Sequence, residues 1–306
     1  MTPASFTSPG TATLLMGEVG SGKTTSLISF IKAGITLGLP LKLAVIITEP
    51  KGVESLIDGL ALYGIAKPEH RARLHYCYIP PATGQIDSII EMATKIGRMS
   101  HQQLAATAPI ARGENNQLMD VLNQMKDFVN QHGESLGPFN ELDSSWMFAI
   151  DSLSGVNTMT RRLHIGLKPT MHQGEWQACM NLEESLVNEL AASCQCFFTL
   201  TCHVDKSTDE LTGKTEYVPN FLGSKLGPHA PKIFSDVILQ YREEKTFRWS
   251  TTRPSYKSLK ARAVEHNDKL DPTFLQVVNS WMRRQKSLEQ DKEWRETQKT
   301  PVEVTS

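Results

Sequence analysis

The sequence predicts an α/β fold in which helices flank a mostly parallel central sheet, followed by late antiparallel strands. Residues 12–16 and 41–48 are short apolar runs, and each precedes a segment with helical periodicity. Residues 146–151 form a third run that is apolar until its last position, as expected of a strand buried on both faces. Alternation of such runs with helices favours parallel pairing, because each crossover helix returns the chain to the same edge of the sheet.

Further strands and helices follow in the same order along the chain. After the first strand we expect a helix over residues 25–31, and then a second helix in which Leu56, Leu60 and Tyr63 share one face. Additional strands are predicted at residues 74–79, 196–202, 236–242 and 246–251. Only a short turn separates the last two strands, which are therefore expected to be antiparallel.

The region between about residues 85 and 145 is predicted to be mainly helical, with a loop near residues 105–116. Two apolar stripes have helical spacing, one formed by Ile86, Ile89, Ile90, Ala93 and Ile96 and the other by Leu118, Val121, Leu122, Met125, Phe128 and Val129. The region is either an inserted subdomain that binds a partner or a set of helices that cover the sheet. We expect the covering role, since apolar stripes of this kind usually face a core.

One domain is expected to span residues 12–284. Residues 1–11 are polar and contain proline, which predicts a flexible N-terminus. Beyond residue 284 the chain is polar and charged, which predicts a frayed helix end and a disordered tail over residues 285–306.

Composition limits the functions that the chain can have. The 306 residues carry a formal net charge of −1, so any contact with nucleic acid needs a local basic patch and not a generally basic surface. No apolar run reaches the roughly 18 residues of a membrane span, and the first residues lack the pattern of a secretion signal. We therefore expect a cytoplasmic protein without membrane contact.

The five cysteines are expected to be reduced thiols, because an odd number in a long chain does not indicate a disulfide framework. Cys194, Cys196, Cys202 and His203 lie close enough in sequence to raise the question of zinc. They belong to an apolar run, however, whose alternation sends neighbouring side chains to different environments. A metal site is therefore the less favoured interpretation.

A phosphate-binding loop follows the first strand. The motif G-x-x-x-x-G-K-T comprises Gly17, Glu18, Val19, Gly20, Ser21, Gly22, Lys23 and Thr24, with Thr25 next in the chain. Its glycines allow backbone N–H groups to surround a phosphate, and the following helix directs its positive end at the same charge. Lys23 would reach the outer phosphates. The sequence therefore predicts a nucleoside-triphosphate site, with ATP as the expected nucleotide.

Thr24 and Asp151 are the candidate magnesium ligands. The threonine of this motif supplies a hydroxyl to Mg²⁺, and Asp151 ends a strand that should lie beside the phosphate loop. Ser152 follows Asp151, where many ATPases of this broad class carry a glutamate. The base that activates water must therefore come from elsewhere in the chain.

Glu49 ends the strand that follows the phosphate-loop helix, and here the chain resembles the RecA-like ATPase family. In that family a glutamate at this strand end holds the attacking water, so the resemblance implies that Glu49 is the base. His203 ends the strand at residues 196–202, where the family carries a polar residue, commonly glutamine, that senses the outer phosphate. A buried histidine with a structural role is the alternative.

Lys260 and Arg262 form a K-x-R pair just after the late strands. In RecA-like helicases and clock ATPases a similar pair reaches the nucleotide of a neighbouring subunit and stabilises transition-state charge. The resemblance therefore implies self-association into a ring or filament, with these two residues joining Glu49, Lys23 and His203 in the catalytic set. A solvated strand edge is the simpler alternative.

Among RecA-like proteins the chain is most similar to compact bacteriophage-encoded ATPases, some of which act in single-strand annealing or recombination. The similarity lies in the early phosphate loop and in residues 150–155, 200–204 and 234–238. It implies an ATPase of DNA recombination, repair or replication that binds single-stranded DNA. A nucleotide-dependent assembly or regulatory switch and a DNA-translocating or helicase motor remain as alternatives.

Two segments are the expected places for DNA contact, residues 156–174 and 204–231, which we predict to be loops. The first contains Arg161, Arg162 and Lys168 and no acidic residue. The second combines lysines with Tyr217 and Phe221, a mixture that could follow a phosphate backbone and stack on bases.

Overall fold

The computed structural model describes residues 9–82, 86–108, 115–208, 213, 215–256 and 258–299. Its strands are Ala12–Met16 (β1), Lys42–Ile47 (β2), Leu74–Tyr78 (β3), Trp146–Asp151 (β4), Phe197–Cys202 (β5), Val204–Thr208 (β6), Thr215–Pro219 (β7), Asp236–Glu243 (β8) and Thr246–Ser250 (β9). Its α-helices are Lys23–Leu27 (α1), Ser29–Leu37 (α2), Gly52–Leu62 (α3), Pro68–Arg71 (α4), Ile86–Arg98 (α5), His101–Ala105 (α6), Gln117–Lys126 (α7), Leu153–Ile165 (α8), Gln173–Ser193 (α9), Gly223–His229 (α10) and Leu275–Lys299 (α11).

A mostly parallel sheet organises the chain, in the order β3-β2-β4-β5-β1-β8-β9 within the described residues. The pairs from β3 through to β8 are parallel, and only β9 runs antiparallel, beside β8. β5 separates the strand of the phosphate loop from β4. The predicted α/β class, with a parallel sheet and late antiparallel strands, is confirmed.

Helices cover both faces of this sheet. In β4, Phe148 and Ile150 face the core under α7, α8 and α9, whereas Met147 and Ala149 face the core under α1, α2, α3 and α11. Because both faces are buried, the central strands need apolar side chains at consecutive positions. This explains the continuous apolar runs of the sequence.

Three predicted elements differ from the structure. The helix after the phosphate loop begins at Lys23, where the glycines end, and helical backbone at Ile28 links α1 to α2, which continues to Leu37. The last helix extends to Lys299, so the prediction of a disordered tail is wrong for residues 285–299. Residues 300–306 of the predicted tail lie outside the described range. Likewise, residues 1–8 of the predicted flexible N-terminus lie outside it.

The third difference concerns α5. The stripe on α7 is buried as expected, but the apolar residues of α5 are largely exposed, with Ile86 at 68% and Ile90 at 57%. A covering role is therefore wrong for α5 within the described residues. A helical stripe shows which face is apolar but not whether another element covers it. None of the described helices is both long and apolar enough to cross a membrane.

Glu183 of α9 is a fully buried carboxylic acid that contacts the segment before α10. Its Oε2 accepts a hydrogen bond of 2.7 Å from the backbone N–H of Leu222, and its Oε1 has no partner. Burial raises the pKa of Glu183 from about 4.5 to about 8, although the Leu222 N–H opposes the shift. The folded chain therefore holds a proton that the unfolded chain releases at lower pH.

This shift predicts that stability decreases as the pH rises from about 4.5 to about 8, at up to about 1.4 kcal/mol per pH unit. Glu183→Gln keeps an acceptor for Leu222 and cannot titrate, so its unfolding free energy should vary less with pH in this window. Urea denaturation at several pH values measures the difference. Exposed Glu184 is the matched control, and Glu184→Gln should retain the pH dependence of the unaltered chain. An unchanged pH slope in Glu183→Gln would contradict the assignment.

Candidate nucleotide-binding site

The phosphate loop connects β1 to α1 at the carboxyl edge of the sheet. Gly22 has a φ of 87°, and a Cβ there would lie 2.9 Å from the ring of Phe247. Glycine is therefore required at this position both for its left-handed backbone and for the close approach of β9. Val19 is 86% exposed, so the tip of the loop projects into solvent.

β8 and β9 support the loop from one side, a feature that the sequence analysis missed. The Gln240 amide donates a hydrogen bond of 2.9 Å to Ser21 O, and it accepts one of 3.0 Å from Trp249 Nε1. A Cβ at Gly17 would lie 2.2 Å from Gln240 O, so the two chain segments are packed at backbone contact. The buried Trp249 thus fixes the amide that holds the loop.

Lys23 is the first residue of α1 and is only 6% exposed, because its side chain turns back into the phosphate loop. Its ammonium donates to Gly17 O at 2.9 Å and to Glu18 O at 3.0 Å, and it lies 3.3 Å from His203 Nδ1. Burial lowers the pKa of Lys23, and neighbouring acidic groups partly offset this effect. A cation held among carbonyl oxygens at this depth is suited to bind an anion.

Asp151 is fully buried at the end of β4 and accepts hydrogen bonds from two hydroxyls. Thr24 Oγ1 donates to its Oδ2 at 2.6 Å, and Thr201 of β5 donates to its Oδ1. Burial raises the pKa of Asp151, while the two hydroxyls act in the opposite direction. The predicted pair of Thr24 and Asp151 is in direct contact. Thr201 was missed, although it is a polar residue near the end of an otherwise apolar strand.

Glu49 and His203 meet at the same edge. His203 Nε2 lies 2.8 Å from Glu49 Oε1, and Ser152 Oγ donates to the same carboxylate oxygen. Because the Lys23 ammonium can only donate, His203 Nδ1 acts as acceptor and Nε2 carries the proton that Glu49 accepts. Burial opposes ionisation of Glu49, but the hydrogen bonds from His203 and Ser152 prevail and lower its pKa. Glu49 is therefore kept ionised.

A close contact between β2 and α8 sets the position of Ser152. Thr48 Oγ1 donates to Ser152 O at 2.6 Å and accepts from Ser152 N at 2.9 Å. A Cβ on Gly155 would lie 2.3 Å from Thr48 Oγ1, so only glycine allows the helix to approach this near. The Ser152 hydroxyl also caps α8 by accepting from Ser154 N.

A pocket of about 300 Å³ adjoins the loop on the side of β8. Glu18, Val19, Gly20 and Ser21 line it together with Tyr241, Arg253 and Tyr256. The Arg253 guanidinium lies 3.5 Å from the centre of the Tyr241 ring, and its Nε donates to Asp268. The pocket therefore combines aromatic surface with a positive charge next to the loop.

The remaining predicted site residues lie apart from this cluster. Thr25 donates its hydroxyl to Ser55 O at 3.4 Å, which joins α1 to α3. Lys260 pairs with Val237 in β8, and its ammonium donates to Phe234 O. Val237 lies level with Leu14 of β1, roughly 10 Å along the strand before the phosphate loop, and Phe234 lies farther away still. Lys260 and Arg262 are therefore remote from the nucleotide site of their own chain.

The first predicted DNA segment, residues 156–174, is a loop only between residues 166 and 172. α8 continues to Ile165, because the Ser152 cap starts a helix whose apolar residues, such as Val156, pack on the sheet. Lys168 is 5% exposed and pairs with Glu175 at 3.0 Å, so its charge is already compensated. The segment therefore offers less free positive charge than its sequence indicates.

The second predicted segment, residues 204–231, contains the β6–β7 hairpin and α10. Phe221 is 6% exposed and belongs to the core, and the Tyr217 ring stacks on Tyr256 at 4.8 Å. Phe221 is therefore not free to stack on a base, and one face of the Tyr217 ring is already occupied. Residues 209–212 and 214 lie outside the described range.

The cysteines are free thiols. Cys194 and Cys196 bring their sulfur atoms to 3.3 Å in a buried position before β5. No group of three or more histidine, cysteine or acidic residues suited to a metal occurs among the described residues.

Comparison with known proteins adds little to this geometry. No family model matches the chain, and no curated protein matches it. Among solved structures the chain is similar to a KaiC-like protein, PH0186, from the hyperthermophilic archaeon Pyrococcus horikoshii OT3. The two are 15% identical over 85% of this chain and 83% of that one, with a TM-score of 0.35. The site is therefore assigned from this chain's own residues.

The two threonines of β5 provide a matched test of the Asp151 contact. Thr201→Val removes a donor to a buried carboxylate and should lower the unfolding free energy by about 1–3 kcal/mol. Thr199 lies two residues earlier, and its buried hydroxyl has no partner, so Thr199→Val should be neutral or stabilising. Urea denaturation at neutral pH measures both variants. Equal effects of the two substitutions would show that the Thr201 hydroxyl does not support Asp151.

Proposed function

We propose that the chain is a magnesium-dependent ATPase with a RecA-like core. The observation that carries the proposal is the meeting of Lys23, Asp151 and Glu49 at one edge of the sheet, beside a phosphate loop. The ends of two strands, β2 and β4, and the phosphate loop supply these three groups, so their proximity follows from the fold and not from closeness in sequence.

The residues present fit a nucleoside triphosphate. The loop offers backbone N–H groups, the Lys23 ammonium and the Ser21 hydroxyl, which is buried without a partner. Thr24 and Asp151 provide two oxygen ligands of the kind that Mg²⁺ prefers, the remaining positions being suited to water and phosphate oxygens. The nucleobase of the bound nucleotide would lie in the adjacent pocket, against Tyr241, Arg253 and Tyr256. Bound magnesium would neutralise charge that develops on the phosphates.

Glu49 is proposed as the base that orients and deprotonates water. Its hydrogen bonds from His203 and Ser152 keep it ionised and fix its direction. His203 contacts both Glu49 and Lys23, so movement of the lysine ammonium toward phosphate would remove one of the two hydrogen bonds of its ring. His203 is therefore suited to report nucleotide binding to the base.

The K-x-R pair and self-association belong to the same proposal. Lys260 and Arg262 are exposed and lie far from the nucleotide site of their own chain, so a catalytic role requires a neighbouring subunit. The arrangement supports head-to-tail assembly into a ring or filament.

A role in DNA recombination, repair or replication is the finer part of the proposal. Arg161 and Arg162 support it, since both lie on α8, which starts directly after Asp151 and Ser152. If single-stranded DNA is the effector, it should stimulate ATP hydrolysis. Hydrolysis that ignores DNA would favour an assembly or regulatory switch, and directional movement along DNA would favour a motor.

Lys23→Ala is expected to weaken ATP binding by at least about tenfold, because it removes the buried cation of the loop. Calorimetric titration with ATP and Mg²⁺ measures the change. Lys67→Ala removes an exposed lysine elsewhere and should bind ATP as the unaltered chain does. Unchanged affinity in a folded Lys23→Ala variant would count against the site.

Glu49→Gln should retain ATP binding and lose hydrolysis by roughly 10²-fold or more, since an amide cannot accept the proton of water. Steady-state phosphate release, with and without single-stranded DNA, measures the rate. The matched control is Glu54→Gln, which alters an exposed acid in the first turn of α3. A normal rate in Glu49→Gln would exclude Glu49 as the base.

A further inference from the structure

A second pocket lies at the opposite edge of the sheet from the phosphate loop. It has a volume of about 520 Å³ and lies between residues 263–265 and α11, with Arg283 and Lys286 in its lining. Both side chains are exposed, and they are three residues apart on one helix, so they share a face. From the sequence, residues up to 284 are expected to end the domain and Lys286 to lie in a charged tail, and no site is expected in this region.

Several cations near this pocket are not held in ion pairs. Arg262, Arg283 and Lys286 make no ion pair with any residue that the structure describes. Half-buried Arg284 has its pKa lowered by burial and by the like charges of Arg262 and Arg283. A group of cations that repel one another is stabilised when an anion is bound among them.

The acidic groups of the region compensate little of this charge. Asp236 is buried, and its Oδ1 accepts from the backbone N–H groups of Arg262 and Ala263, both at 2.7 Å. It therefore orders the segment that presents Arg262, and it is the one carboxylate near Arg284 in the described residues that opposes the repulsion. Glu265 is exposed at the rim of the pocket.

We propose that this pocket binds the phosphates of a nucleic-acid strand, with Arg283 and Lys286 as contacts. An arginine guanidinium can donate two parallel hydrogen bonds to phosphate oxygens, and a lysine ammonium adds a positive charge on a flexible side chain. Arg283 and Lys286 are about 4.5 Å apart along the helix axis and share one face of α11, so they can contact neighbouring phosphates of one strand. Gln276, Asn279 and Met282 also line the pocket, and they offer amide and thioether contacts to bases.

The location separates this site from ATP chemistry. The pocket adjoins Asp236 at the start of β8, whereas the phosphate loop follows the carboxyl end of β1. The inference rests on the proposed DNA role, but it does not depend on hydrolysis. A nucleic-acid strand held here would leave the nucleotide pocket of the same chain free.

The test is fluorescence anisotropy with a labelled oligothymidylate, the full chain and no nucleotide, over a series of salt concentrations. The double variant Arg283→Ala/Lys286→Ala should bind roughly tenfold more weakly at low salt. Because two phosphate contacts are lost, the slope of log affinity against log salt should become shallower by about 1.4. Both residues are exposed, and an unchanged thermal midpoint would verify that the variant is folded.

Lys67→Ala/Arg71→Ala is the matched control, since it also removes two exposed positive charges. These charges lie at α4, directly before β3, which is the border strand farthest from β9 in the sheet order. It should change neither the affinity nor the slope beyond a small general effect. Equal losses in the two double variants would overturn the site, as would full affinity in Arg283→Ala/Lys286→Ala.

Inorganic tripolyphosphate should compete poorly with the oligonucleotide. Equal competition at matched phosphate concentration would assign the pocket to small phosphates and overturn the proposal.

Failure of this site and failure of the proposed function give different results. DNA binding that survives the α11 substitutions, together with hydrolysis that depends on Lys23, rejects the site and keeps the ATPase. Binding that is lost in Arg283→Ala/Lys286→Ala but kept in Lys23→Ala supports the site whatever the rate of hydrolysis. An unaltered chain that binds no oligothymidylate rejects both the site and the DNA role.

Discussion

The parallel direction of the strands is the constraint on which the nucleotide site depends. Because β1, β2, β4 and β5 run the same way, the residues that follow them meet at one edge. Lys23, Glu49, Asp151 and His203 are far apart in sequence, and this edge brings them together. A sheet with any of these strands reversed would send its polar end to the opposite side of the molecule.

Buried charge at this edge is held by hydrogen bonds more than by direct ion pairs. Asp151 accepts from two threonine hydroxyls, and Lys23 donates to two carbonyl oxygens. Such partners stabilise a charge without neutralising it, so the carboxylate and the ammonium remain able to bind a cation and an anion. The pKa of Asp151 is raised all the same, which shows that its hydroxyls only partly compensate for burial. The site is thus arranged for ligands that carry both signs of charge.

Much of this arrangement could be predicted from the sequence, because it depends on local patterns. The phosphate loop, the apolar strands and the polar residues at their ends indicated the sheet and the proximity of Glu49 to the loop. The partners on β8 and β9 could not be predicted in this way. Gln240 supports Ser21 from more than two hundred residues away, and its contact depends on the order of strands and not on a motif. Likewise, helical periodicity marked the stripe on α5 correctly as apolar, but periodicity contains no information on whether another element covers it.

The two segments predicted to bind DNA are less open and carry less free charge than their sequence indicates, for a related reason. A cluster of basic residues in a sequence does not reveal whether its charges have partners, and Lys168 proved to be paired with Glu175. At α11 the opposite holds, since Arg283 and Lys286 lie at the predicted boundary of a polar tail and yet line a pocket without making an ion pair in the described residues. Charge that is uncompensated in the fold is better evidence for an anion site than charge that is abundant in the sequence. Because the net charge of the chain is only −1, local imbalance of this kind is what can attract a polyanion. In the proposals made above, the carboxyl edge of the sheet binds a nucleotide and the amino edge binds a strand of phosphates.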